Sequence, residues 1–261
     1  MSASSPLAIA VHGHGPQALV LIHGWAMHGG VFAPLIDALR AQCTLYVVDL
    51  PGHGASAHSR LTLEPTALAR AIVEATPAAP WVGWSLGGQL ALHGAIHYPN
   101  HVTALGMLAA SPCFVRREDW PHGVKAGTFS HFANALNDDR EAALARFCGL
   151  VVMGDRDARA KLRLLRELTR ATDGPQPHAL AKGLELLETT DLRAQIDALT
   201  VPSVWVGGRH DRLVPWQAMA ASAEACGGQF TCIDSTGHAP FLGQAEAMAA
   251  ALHPLFDPET A

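Results

Sequence analysis

The sequence has little of what holds small or unusual proteins together. Its five cysteines (Cys43, Cys113, Cys148, Cys226 and Cys232) form an odd, scattered set with no C-x-x-C pair. That excludes a disulfide framework or a cysteine zinc site and leaves them as small buried hydrophobes in the reduced state. Charged residues are sparse at 16% against 49% hydrophobic, which excludes a disordered chain. No apolar run approaches the ~20 residues of a membrane span; Ala18–Ile22 and Leu150–Met153 are typical of those present. Met1–Pro6 carries no basic residue before an apolar stretch, so no signal peptide is expected and the cytoplasm is the default compartment. A net charge of −5 argues against nucleic-acid binding. What the chain does have is length. Its 261 residues suffice to bury roughly three quarters of the unfolded surface, as one large domain or a core with an insertion.

Short apolar runs alternate with longer helical patterns. Strands are expected at Leu19–His23, Leu45–Asp49, Trp81–Trp84, Ala104–Ala109, Val201–Gly207 and Phe230–Ile233. Apolar spacings of three and four between them predict helices over Val31–Arg40, Leu63–Ala75, Leu86–His97 and Trp216–Ala225. Such alternation predicts an α/β fold, a mostly parallel sheet with helices on both faces. From about Phe114 to Glu188 the strand rhythm stops and only helical pattern remains. The expected organisation is therefore a core of residues 1–113 and 189–261 with an all-helical lid inserted at 114–188.

Gly83-Trp-Ser-Leu-Gly-Gly88 follows a strand candidate and opens a helical pattern. Gly-x-Ser-x-Gly in that setting is a nucleophile elbow, a turn so tight that its flanks tolerate almost no side chain while Ser85 stands at the apex. A serine hydroxyl needs a base, and His238 in Gly237-His-Ala-Pro-Phe241 sits on a loop after the last strand. Asp211, on the loop after Val204-Trp-Val-Gly-Gly208, is the carboxylate expected to orient the imidazole; Asp234 is a rival placed too near the strand end. Two backbone donors are expected for the oxyanion, Leu86 N–H after the nucleophile and Trp25 N–H in His23-Gly24-Trp25. Asp49-Leu-Pro-Gly-His-Gly54 lacks the lysine and hydroxyl residue of a phosphate loop and reads as structural. His93, His97 and His101 are spaced like ligands, but Pro99 breaks the helix and no carboxylate or cysteine completes a shell, so no metal or cofactor is expected. His12 and His14 read as turn residues.

These motifs together resemble the α/β-hydrolase superfamily over nearly the whole chain. Ala110-Ser-Pro-Cys-Phe114, Glu118-Asp-Trp-Pro121 and Gly183-Leu-Glu-Leu-Leu-Glu-Thr-Thr-Asp-Leu-Arg193 resemble, more narrowly, the pimeloyl-[acyl-carrier protein] methyl ester esterases of biotin synthesis. That resemblance implies hydrolysis of the methyl ester at the free end of a carrier-bound pimeloyl chain. It also implies substrate contacts at Trp25, Ser85, Leu86, Phe147, Cys148, Gly149, Leu150, Val151 and His238. A broad carboxylesterase or a C–C bond hydrolase on the same triad is the alternative. Ser85 excludes haloalkane dehalogenases and epoxide hydrolases, which need aspartate there, and a binding protein on this fold would be expected to have lost part of the triad.

One charge asymmetry stands out. Arg140–Arg170 holds eight basic residues against four acidic ones, and Arg156, Arg159, Arg163, Arg166 and Arg170 follow steps of three and four along one expected helix face, with Leu162, Leu165 and Leu168 opposite. An acidic partner would offset that repulsion. The resemblance makes it an acyl carrier protein and places its contacts at Arg146, Arg159 and Arg163. A monomer with no membrane partner is expected.

Overall fold

The computed structural model describes residues 7–170 and 174–256; the Met1–Pro6 stretch read above lies outside them. Seven strands form one sheet: β1 (Ile9–Gly13), β2 (Gln17–Ile22), β3 (Cys43–Val48), β4 (Ala79–Trp84), β5 (Val102–Leu108), β6 (Ser203–Gly208) and β7 (Gln229–Ile233). Their spatial order is β1-β3-β2-β4-β5-β6-β7, parallel throughout except for β1, which runs antiparallel to β3. The central strands β4 and β6 are buried along their whole length, as expected of strands covered on both faces. That coverage comes from α1 (Ala33–Leu39), α2 (Pro65–Ala75), α3 (Leu86–His97), α8 (Trp216–Ala225) and α9 (Ala245–Leu252).

The sequence reading missed β1. Its residues are mostly exposed, so this edge strand carries no continuous apolar signal; His12 lies in it, and only His14 falls in the turn beyond.

Between β5 and β6 stand α4 (Thr128–Asp138), α5 (Arg140–Val151), α6 (Ala158–Thr169) and α7 (Pro177–Thr189). Local chemistry sets their starts: Asp139 accepts from Ala142 N–H at 3.0 Å to cap α5, and Pro177 opens α7 where a missing N–H costs nothing. The segment is not purely helical, since isolated bridges pair Val115 with Val124 and Arg117 with Trp120. It leaves and rejoins the core at one place, where Cys113 pairs with Asp191. There Arg193 grips Asp191 through Nε at 2.9 Å and Nη2 at 2.8 Å and reaches Asp119 at 3.0 Å, and Arg117 adds a contact to Asp191 at 3.2 Å.

The five cysteines are free. Cys43 and Cys113 are buried, while Cys148, Cys226 and Cys232 are only half-buried, so the expectation of five buried thiols holds for two.

Candidate active site

The elbow between β4 and α3 holds Ser85 at φ 56°, ψ −120°, a strained backbone for a residue with a side chain. The surroundings permit it only because they are glycine. A β-carbon on Gly83 would collide with the Gly87 carbonyl, and one on Gly87 with the Ile22 carbonyl across the sheet. Ser85 is 5% exposed, above the ends of the central strands.

His238, on the loop after β7, brings Nε2 to 2.9 Å from Ser85 Oγ. Its Nδ1 lies 2.8 Å from Asp211 Oδ2. The second oxygen of Asp211 accepts from Leu213 N–H at 2.8 Å and Val214 N–H at 3.0 Å, so the carboxylate is locked by its own loop. An ionised Asp211 accepts a hydrogen bond from Nδ1–H, the tautomer in which Nε2 is the ring's acceptor toward Ser85 Oγ. The rival Asp234 pairs instead with Arg209 at 3.2 Å and is 82% exposed; its strand-end position turns it outward.

Trp25 and Leu86 converge on the serine. Leu86 opens α3 and so has an N–H without an intrahelical acceptor. A β-carbon on Gly24 would stand 3.1 Å from Ser85 Cβ, which is how closely the His23–Trp25 loop approaches. His23 secures that loop: its Nδ1 meets Gly24 O at 2.8 Å while Nε2 accepts from Leu50 N–H at 3.0 Å. Only a neutral ring can do both. Burial, with His53 and His28 nearby, holds its pKa well below the usual histidine value. Trp84 buttresses the base, its Nε1 donating to His238 O at 2.8 Å and its ring 5.6 Å from the imidazole. The sequence reading passed over both residues. His23 was signalled by its place in the His-Gly-Trp motif, whereas nothing distinguishes Trp84 from any core tryptophan.

An apolar cavity opens from Ser85 between the core and the inserted helices. Trp25, Phe114, Phe129, Phe132, Phe147, Leu184 and Leu187 line it. Trp25 joins the two halves, with its Nε1 donating to Leu180 O on α7 at 2.9 Å and its ring edge-on to Phe147 at 4.7 Å. Of the five consecutive residues Phe147–Val151, Phe147 lines this cavity. A helix turns its side chains by a hundred degrees per residue, so Cys148 faces a second hollow beside Met27 and His28, and Gly149 and Leu150 line an outer groove with Phe132 and Arg146. Val151 is buried and offers its carbonyl to His238 N–H at 3.0 Å.

Arg146, Arg159 and Arg163 are exposed, and among the described residues no carboxylate pairs with them. The five-arginine stripe is shorter than expected. Arg156 precedes α6 and Arg170 caps its end, while Leu165 is buried on the opposite side. Lys161, counted with the basic cluster, turns inward to Asp155. On α3, the rings of His93 and His97 stack at 4.1 Å while His101 sits edge-on to Trp81, so the three histidines do not converge.

Sheet order, elbow and hydrogen-bonded triad define a class, and residues 17–245 match the family model of the α/β-hydrolase fold. The chain belongs to the α/β-hydrolase family. Within it, the chain is 52% identical to the pimeloyl-[acyl-carrier protein] methyl ester esterase of Xylella fastidiosa (strain 9a5c), over 94% of this chain and 96% of that one. It is 51% identical to the protein of the same name from Stenotrophomonas maltophilia (strain R551-3), over 94% of each. Among solved structures, an esterase from Exiguobacterium antarcticum superposes with a TM-score of 0.85 at 20% identity, covering 95% of this chain and 94% of that one. A bromoperoxidase from Bacillus anthracis gives the same score and identity, covering 96% and 95%. Likenesses that distant establish the fold alone.

Proposed function

We propose that this chain is a serine carboxylesterase that hydrolyses the methyl ester of a pimeloyl chain held on an acyl carrier protein, in biotin synthesis. One observation carries the esterase reading, the unbroken hydrogen-bonded line from Ser85 through His238 to Asp211. The named relatives at about half identity over almost the whole chain support the substrate.

Ser85 attacks the ester carbonyl as His238 takes its proton, and the Leu86 and Trp25 N–H groups hold the oxyanion. Methanol leaves with the proton from His238. Water, deprotonated by the same ring, then releases the free acid, and Asp211 holds the imidazole throughout.

Residues 114–188 act as a lid over the serine. The acyl chain lies along Phe147 in the inner cavity, and Gly149 and Leu150 serve the approach through the outer groove. Arg146 stands at that groove, and with Arg159 and Arg163 it meets the acidic carrier. No helix among the described residues is long and apolar enough to cross a membrane; a cytoplasmic monomer fits the reading.

Methanol release from carrier-linked and free methyl esters of the same dicarboxylic acid tests the substrate. A higher kcat/KM for the carrier-linked ester is expected, and equal values would reduce the chain to a general carboxylesterase.

A further inference from the structure

The turn joining α5 to α6 lies against the loop that carries His238. His238 N–H donates to Val151 O at 3.0 Å and Arg156 N–H to Ser235 O at 3.3 Å. His210, beside Asp211, meets Gly154 O through Nδ1 at 3.0 Å. At the centre stands Asp155. Its side chain is wholly shielded, and Oδ1 accepts from Lys161 Nζ on α6, itself about nine-tenths buried. Oδ2 is buried without a full hydrogen bond. It faces Gly237, 3.3 Å from where a β-carbon on that glycine would stand.

A buried ion pair is an expensive way to fill space, since apolar residues of equal volume often serve as well or better. Here it sets a carboxylate against the residue that precedes the catalytic imidazole. Burial pushes the Asp155 carboxyl up; Lys161 and the Gly237 N–H pull against that, and the charge of Asp211 adds to it. The groups facing this spot are Lys161 from α6, His210 and Asp211 from the loop after β6, and His238. Arg156 and Asp234 stand at the rim of the open cleft along Lys161.

The geometry points to Asp155 as a positioning residue for His238: tethered by Lys161, it holds the 235–238 backbone from the inserted helices. This rests on the esterase reading of Ser85, His238 and Asp211. Asp155 touches neither substrate nor reacting atoms, so its effect runs through the ring.

The test is p-nitrophenyl butyrate hydrolysis, with kcat and KM determined separately beside melting curves, by Asp155→Asn and by the double variant Asp155→Asn, Lys161→Met. In Asp155→Asn, kcat should fall about ten- to a hundred-fold, the scale of a small misplacement of a catalytic group, with KM little changed. The double variant leaves no unpaired buried charge, so its melting temperature should recover while kcat stays low and KM stays close to wild type. If Asp155→Asn does not fold, the double variant alone decides. Wild-type kcat in the folded double variant overturns the inference. A Ser85→Ala enzyme run in parallel separates the failures. If it stays active, the esterase reading falls and this inference with it; if it is dead while the Asp155 variants behave as wild type, this inference alone falls.

Discussion

Asp211 shows how much rests on one hydrogen bond. On the proposed mechanism it decides which nitrogen of His238 carries the proton, and an amide in its place can present the ring with the wrong partner. Asp211→Asn should therefore cost about four orders of magnitude in kcat while leaving the fold intact, checked by steady-state kinetics beside a circular-dichroism melt. Phe147 acts differently, by filling the cavity beside Trp25. Phe147→Ala should raise KM for long acyl esters about ten-fold or more, the scale of lost apolar contact, and much less for acetate esters. Equal effects on both would make Phe147 a packing residue only. At this scale the sequence was legible wherever chemistry constrains residue type. The Gly-Trp-Ser-Leu-Gly turn announces itself because its glycines are sterically compelled. Trp84 and Asp155 do not, because each acts through a contact more than 80 positions distant in the chain, Trp84 Nε1 with His238 O and Asp155 with Gly237.

Among the elements, α6 and the two crossings beneath the inserted helices carry distinct predictions. Arg159 and Arg163 stand exposed on α6, and reversing both to Glu should raise KM for a carrier-linked ester roughly ten-fold or more, with added salt mimicking the effect on wild type. Hydrolysis of p-nitrophenyl esters should be unchanged; an unaltered KM for the carrier-linked ester would leave this face as solvated surface. At the crossings, Arg193 holds the Asp191 carboxyl below the usual carboxylate range, chiefly through its side-chain hydrogen bonds. A depressed carboxylate contributes stability in full above its unfolded value near 3.9, and loses it as pH falls through the lower folded value. Arg193→Ala should thus cost roughly 1 kcal/mol at pH 7, as befits a partly exposed pair, and the difference in melting temperature should shrink in strong acid. A deficit constant down to pH 2 would assign it to lost packing on Trp120, over which the guanidinium sits at 5.5 Å. The helices α3 and α8 read correctly from sequence, α8 because it buries one face at Ala218, Met219, Ser222 and Ala223, and α3 because it is buried on nearly every side. The stripe on α6 was overdrawn because spacing alone does not reveal where a helix begins, and Arg156 lies before it. β1 was invisible because an exposed edge strand needs few apolar residues.

Over the whole molecule, the α/β alternation was readable because buried parallel strands must be apolar end to end, and the break in that rhythm marked where the helical segment enters. What sequence could not give is the meeting of the two parts: Trp25 bonded to α7, Phe147 against Trp25, and the α5–α6 turn stitched to the loop of His238. The hydrogen-bonded line from Ser85 to Asp211 is thereby built from the core, with the inserted helices packed against it. Its most direct test is methanol release from a carrier-linked methyl pimelate ester by the wild-type and Ser85→Ala enzymes at equal concentration. Loss of several orders of magnitude in kcat is expected for Ser85→Ala, with only the residual catalysis of binding and the oxyanion donors left. Near-normal methanol release by that variant would contradict a serine esterase outright.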